Sequence, residues 1–473
     1  MNFHLVFLVG YSILLIVLGL AIGRLVRSTG LFFVADRKLG PVLLFATLLA
    51  ANIGAGSTVG AAGLGYRDGI SAWWWVGSAG IGSLLLAFWI GPRIWQIAVR
   101  HDLRTVGDFL ELRYGPSVRG VVATLLWVGT LAILAGQLIA VAFILDVVAG
   151  VPKYAGCIIG GVVMTSYFAA GGLLTSAWVN AVQLLVLLVG FAVALPVSLS
   201  AAGGWSAVLA TEAAATAGYL SFWRGGSSGW IYAAMLVPAF IVSPGLLQKI
   251  YGARDERAVR IGVAANGLVL LVFACIPPLL GMIARVHHPN LANNELALAT
   301  VLVHELPLAV GILGLAAVFS AEVSTCDAIL FMLSTSLSQD LYRRFVNPGA
   351  SDERVLRVAR LAAVSGGVLG VALAIVIPTV ILALTAFYSV LSVSLFVPIV
   401  AGLHSRRGGT PEALAAIGAG ISALAAVHMA TGGRGFGVWT PTLIALVVSA
   451  LGFAVTLLVR LVRRESPIRH RVP

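Results

Sequence analysis

Two short stretches far apart in the chain carry residue types suited to holding a small cation, Ala50-Ala51-Asn52-Ile53-Gly54-Ala55-Gly56-Ser57 and Ala321-Glu322-Val323-Ser324-Thr325-Cys326-Asp327. Each is a small, polar interruption inside a run that otherwise reads as lipid-spanning helix. Polar groups and loosened backbone at membrane depth are costly unless they face a cavity or an ion. In the first stretch the glycine pair weakens the helix. A break there frees the carbonyls of Ala50 and Ile53 as neutral oxygen ligands for a hard cation. Asn52, Ser57 and Thr58 offer side chains to a solute from the same break. Close helix–helix packing by small residues explains this stretch equally well.

The second stretch is more demanding. Ser324 and Thr325 supply adjacent hydroxyls, with Ala321 one turn earlier on the same side. Such oxygens suit an alkali cation, since they bind it without a full charge that would hold it too tightly to release. Glu322 and Asp327 are carboxylates placed well inside a span, where an ionisable group is a functional hypothesis by default. Asp327 lies one turn beyond Ser324 on nearly the same face, and Glu322 lies on the side of Thr325. Two polar defects in corresponding positions of two halves point to an ion and substrate site.

The elements that position these residues are membrane helices. Sixty per cent of the 473 residues are hydrophobic and ten per cent are charged, too few charges to cover a soluble chain of this size. The expected class is an all-α polytopic membrane protein of about thirteen spans, near 3–24, 41–63, 72–98, 117–149, 153–171, 174–199, 228–248, 258–284, 306–338, 354–377, 379–403, 411–431 and 438–461. The first segment is too long for a signal peptide and is read as a span. An outer amino terminus puts 25 of the 30 lysines and arginines, Lys249 among them, on the inner side. The net charge of +12 is therefore a topology signal, and no nucleic-acid partner is expected. Residues 1–40 hold a leading helix and inner loop. Residues 41–200 and 201–403 are two five-helix halves offset by about 190 residues. Residues 404–473 are two peripheral helices and a basic tail. An odd number of spans per half makes the repeats inverted. Asp102–Gly115 is amphipathic and suits the inner interface, and the outer connection 285–305 is long enough to cover an entrance.

Several motifs, in order, resemble the sodium:solute symporter family of the leucine-transporter-type fold. They are Phe32-Phe-Val-Ala-Asp-Arg-Lys-Leu-Gly40, the break at Ala50–Gly56, Thr105-Val-Gly-Asp-Phe-Leu-Glu-Leu-Arg-Tyr-Gly115, Gly171-Gly-Leu with Trp178-Val-Asn-Ala-Val-Gln183, Pro244-Gly-Leu-Leu-Gln-Lys249, Ala321–Asp327 with Asp340-Leu-Tyr342, and Leu395-Phe-Val-Pro-Ile-Val-Ala-Gly402. The resemblance runs through roughly 30–403. It implies a sodium site built from the backbone of Ala50, Ile53 and Ala321 and the hydroxyls of Ser324 and Thr325. It also implies a solute near Asn52, Gly54, Ser57, Gln137, Ser243 and Tyr388. Gln137 stands out independently, because a lone amide in an apolar span needs a partner. One departure is Val179-Asn180, where many family members carry Thr-Asp and use that acid for a second sodium. A second cation position would here fall to Asn180 and Asp327 with Glu322, and the cation could be a proton.

No enzyme is expected. His304-Glu305 lacks the second histidine of a His-Glu-x-x-His metal motif, His287-His288 is an outer-loop pair without an evident third ligand, and the three cysteines are scattered singly. The leading expectation is sodium-coupled uptake of a small organic solute across the cell's inner membrane, working as a monomer. The pocket candidates hold no arginine or lysine, which tolerates an amino-acid-like zwitterion or a neutral polyol. A proton-coupled symporter and a transporter-like solute sensor are the alternatives.

Overall fold

The computed structural model describes residues 2–23, 37–168, 173–225 and 228–463. Residues 32–36 of the motif opening at Phe32, the Gly171-Gly172 pair and the basic tail after Arg463 lie outside them. Among the described residues, ten helical stretches are long and apolar enough to cross a membrane, joined by two shorter apolar helices, Phe3–Leu14 and Pro41–Asn52. In chain order the principal helices are α1 Phe3–Gly23, α2 Pro41–Asn52, α3 Ala61–Asp68, α4 Trp73–Leu85, α5 Gly91–Arg100, α6 Val106–Tyr114, α7 Pro116–Ala149, α8 Lys153–Phe168, α9 Leu173–Ala201, α10 Ala233–Val242, α11 Pro244–Tyr251, α12 Glu256–Phe273, α13 Ile276–His287, α14 Leu308–Thr335, α15 Asp352–Val376, α16 Val380–His404, α17 Thr410–Thr431 and α18 Pro441–Val462.

The second expected span is broken where its glycines fall. Pro41 starts α2 at a position that needs no N–H. Twelve residues later the chain turns extended at Ile53 (φ −101°, ψ 99°). Twelve residues rise only about 18 Å, so α2 cannot cross about 30 Å of hydrocarbon alone. A π-type turn over Gly56–Gly60 then restarts the helix into α3. Such turns recur at functional sites.

The second half differs from expectation. Ala321–Asp327 lies in the unbroken 28-residue helix α14, because hydroxyls and carboxylates can project from intact backbone. The partner break is at Ser243, extended at φ −55°, ψ 119° between α10 and α11. Pro244 disfavours helix at the preceding residue and contributes no N–H. Ser243 follows Ile53 by 190 residues, the difference of their numbers and the offset expected from sequence between two halves.

The core forms where α2, α9, α12 and α14 pack together, and α7 crosses α14 and α16. Close approach rests on small residues: a Cβ at Gly80 or Gly267 would sit 2.9 Å from the other's carbonyl oxygen, where α4 meets α12. Helix α6 is capped reciprocally by Thr105 and Asp108 and buries Phe109, Leu110 and Tyr114. Thr105 and Arg119 both donate to Asp340 (2.6 and 2.7 Å), tying α6 and α7 to the helical segment Ser336–Val346 that continues α14. The connection 285–305 ties together elements far apart in the chain. Asn294 donates to the Gly63 carbonyl (2.9 Å), and Glu295 accepts from the first N–H groups of α16, Val380 (2.7 Å) and Ile381 (3.0 Å). Helices α17 and α18 pack on each other and against α16.

Candidate functional site

All five oxygens expected to hold a cation converge. Ser324 Oγ donates to the Ala50 carbonyl at 2.8 Å and lies 3.1 Å from the Ala321 carbonyl. Thr325 Oγ1 lies 3.2 Å from the Ala50 carbonyl and 3.0 Å from that of Ile53. Both hydroxyls are buried. The break at Ile53 turns these carbonyls out of the α2 ladder, and α14 offers its hydroxyls across the gap. A hard cation that keeps oxygens at about 2.4 Å needs only a small spreading of this cluster and a rotation of the two O–H groups. The donor set is neutral, the type that suits an alkali cation that must also be released.

Against the cation cluster lies a cavity of about 30 Å³ lined by Asn52, Gly54, Gly56, Ser57, Gln137 and Thr325, and roofed by Trp75, Phe240, Leu384 and Tyr388. At roughly 10–15 Å³ per water this is room for about two waters, so an organic solute requires the halves to part. The Tyr388 ring packs on Phe240 (5.4 Å) and Trp75 (6.3 Å). Five of the six expected solute residues, Asn52, Gly54, Ser57, Gln137 and Tyr388, line this cavity; Ser243 sits at the α10–α11 break outside its lining. Gln137 finds its partner in the break itself, its Oε1 accepting from the Ala55 N–H at 2.8 Å. Ser57 Oγ donates to the Asn52 carbonyl (2.7 Å), and Asn52 Nδ2 donates to Asn266 Oδ1 (3.1 Å), which sequence reasoning missed.

The expected second cation residues separate. Glu322 is fully buried and turns to the π-type turn Gly56–Gly60 after the break, where Thr58 Oγ1 lies 3.0 Å from its Oε1. Asn180 and Asp327 sit on the packed helices α9 and α14, with Asn180 Oδ1 and Asp327 Oδ2 buried and without hydrogen-bond partners among the described residues. Lys249, read from sequence as an inner-surface charge, is buried and donates to the Thr47 carbonyl at 3.0 Å. Its place just after the Ser243-Pro244 break was the available signal. The outer histidine pair also has a partner that sequence spacing hid: Glu305 accepts from His287 (2.5 Å) and His288 (2.7 Å).

Gly54 is where the cation cluster and the cavity meet most closely. A Cβ there would stand 2.5 Å from Thr325 Oγ1 and 2.7 Å from Gln137 Oε1. Gly54→Ala is expected to displace both side chains and to cut sodium-driven transport at least tenfold. Transport assays on reconstituted protein check this, and wild-type rates in Gly54→Ala would show that the break tolerates a methyl group.

The family model for the sodium:solute symporter family matches residues 32–420. The Escherichia coli (strain K12) sodium/pantothenate symporter is 29% identical over 428 residues, covering 83% of this chain and 83% of that protein. The Vibrio parahaemolyticus sodium/glucose cotransporter is 23% identical, covering 72% of this chain and 67% of its own length. The human sodium/iodide cotransporter is 26% identical, covering 84% and 64%. Among solved structures, a Na+-coupled sialic acid symporter in a substrate-bound outward-open state matches with a TM-score of 0.80 at 17% identity, covering 96% of this chain and 97% of that one. A nucleobase-cation-symport-1 family transporter in a closed conformation matches with a TM-score of 0.55 at 15% identity, covering 93% of this chain and 96% of that one. These structures share the fold. The match across most of the chain, with the break, the hydroxyl pair and the cavity in one place, makes it a member of the sodium:solute symporter family.

Proposed function

We propose that the chain takes up a small organic solute together with sodium by alternating access, an amino-acid-like zwitterion being the favoured solute. The observation that carries this reading is the double role of Thr325. Its hydroxyl meets the Ala50 and Ile53 carbonyls, and the same residue lines the cavity. A cation seated there fixes the break whose other side forms the solute's wall, so each ligand favours the other's binding, and by an equal factor. Sodium is held by Ala50, Ile53, Ala321, Ser324 and Thr325. The solute lies against Asn52, Gly54, Ser57, Gln137 and Tyr388, with Ser243 joining when the halves part. No arginine, lysine or carboxylate lines the cavity, which suits a solute without net charge. The named relatives carrying pantothenate, glucose and iodide mark the chemical range to screen. Asn180 and Asp327 form a second cation position, with Glu322 in a weaker modulating part.

Uptake of radiolabelled proline, alanine, pantothenate, glucose and sialic acid into proteoliposomes under an imposed sodium gradient tests the reading. Sodium-driven accumulation of one of them is the expected result. Accumulation driven by a proton gradient alone would select a proton-coupled symporter, and binding without flux would select a sensor.

The proposed layout is thirteen spans, five plus five inverted with one before and two after, in the plasma membrane, each chain working alone. The amino terminus is then outside and the carboxyl terminus cytoplasmic. An impermeant maleimide is expected to label Asn2→Cys in intact cells and Ser466→Cys only after permeabilisation. Labelling of both from one face would change the span count by one.

A further inference from the structure

Lys249 is an ionisable amine in the interior of a membrane protein, and the cation cluster does not use it. It lies in the last turn of α11, where the helix dipole favours a cation, and its side chain is buried. One of the three ammonium donors reaches the Thr47 carbonyl of α2 at 3.0 Å. Helix α11 packs against α14, which carries Asp327, equally buried. No direct ion pair joins the two among the described residues. The acceptors Asp327 Oδ2 and Asn180 Oδ1, and on α2 Thr47 Oγ1, are buried without hydrogen-bond partners among those residues. An isolated charge in such surroundings is very costly, whereas a lysine and an aspartate sum to zero. The position thus already contains its own positive charge.

We propose that the ammonium of Lys249 is the resident counter-cation of Asp327, so that the position formed by Asp327 and Asn180 takes no second sodium and the chain moves one sodium per solute. This rests on the reading that sodium binds at Ser324 and Thr325. The ammonium does there what a mobile ion would otherwise do: it neutralises the carboxylate on α14 and bridges to α2. Because it is covalently attached, it is not carried across and adds nothing to the driving gradient.

Equilibrium binding of ²²Na⁺ to the purified full chain tests this without knowledge of the solute. Wild type is expected to bind one sodium per chain. Lys249→Met leaves Asp327 without its cation and is expected to bind two. Lys249→Met combined with Asp327→Asn is expected to return to one. Two sodium ions on wild type, or one on Lys249→Met, would overturn the proposal. No sodium on wild type would instead overturn the underlying sodium reading. If Lys249→Met does not yield a monodisperse protein, the double variant decides. The proposal requires the double variant to fold, bind one sodium and melt at a higher temperature than Lys249→Met. A double variant as impaired as the single one would reduce Lys249 to a strut on the Thr47 carbonyl.

Discussion

Replacing Ser324 and Thr325 together by alanine is expected to weaken apparent sodium affinity at least tenfold, equivalent to about 1.4 kcal/mol. The two hydroxyls are two of the five oxygens that converge between α2 and α14, and they are the ones that hold the other three in place. Without them the Ala50 and Ile53 carbonyls, already turned out of their own helix, face a buried surface with no donor. The expected consequence is a loss of sodium binding and of order at the break together. Thr325→Ser keeps the oxygen and is expected to behave nearly as wild type, which separates the hydroxyl from the volume of the side chain. Linkage adds a second readout. Solute affinity measured without sodium is expected to change little, while the enhancement by sodium disappears. Unchanged sodium dependence in the double variant would remove this site from the account.

The cation cluster was legible in the sequence because its signals are local. Glycines at 54 and 56 loosen a helix wherever they occur, and adjacent hydroxyls at 324 and 325 share one face of α14 whatever packs against it. What could not be read was which polar stretch breaks the backbone in the second half. The eye is drawn to Ala321–Asp327 by its charge, yet α14 runs through it and the break falls at Ser243-Pro244, a signal carried by one proline. Partners across the fold were also out of reach. Asn266 bonds Asn52 across 214 residues, and Gln137 bonds the Ala55 N–H across 82. Sequence spacing set Glu322 and Asp327 five residues apart but could not say that one meets Thr58 while the other keeps a buried oxygen without a hydrogen-bond partner among the described residues. Lys249 itself was hidden by a rule that is otherwise sound: a lysine near the end of a span counts toward inner-side charge, and only the packing of α11 against α2 and α14 buries it.

Asp327→Asn is expected to abolish concentrative uptake while leaving solute binding within about twofold of wild type. The substitution is nearly isosteric, so the packing of α14 is kept and only the charge is removed. Asp327 does not line the solute cavity, which is why binding should persist. The loss falls on the buried ammonium of Lys249, which then has only the Thr47 carbonyl as a described hydrogen-bond partner. Removing the nearby opposite charge leaves the buried ammonium uncompensated, which favours conformations in which Lys249 reaches water. Lys249 sits on α11, which follows the break at Ser243, and holds α2, which precedes the break at Ile53. A state that hydrates Lys249 therefore pulls on the elements that must close before sodium and solute are carried. The gradient would then leak or stall, and accumulation would fall to equilibration. Solute-binding and accumulation assays run on the same preparation separate these outcomes. A reading in which Asp327 merely bonds to neighbouring backbone makes the opposite forecast, since asparagine can do the same. Sodium-driven accumulation by Asp327→Asn as steep as that of wild type would decide for that reading.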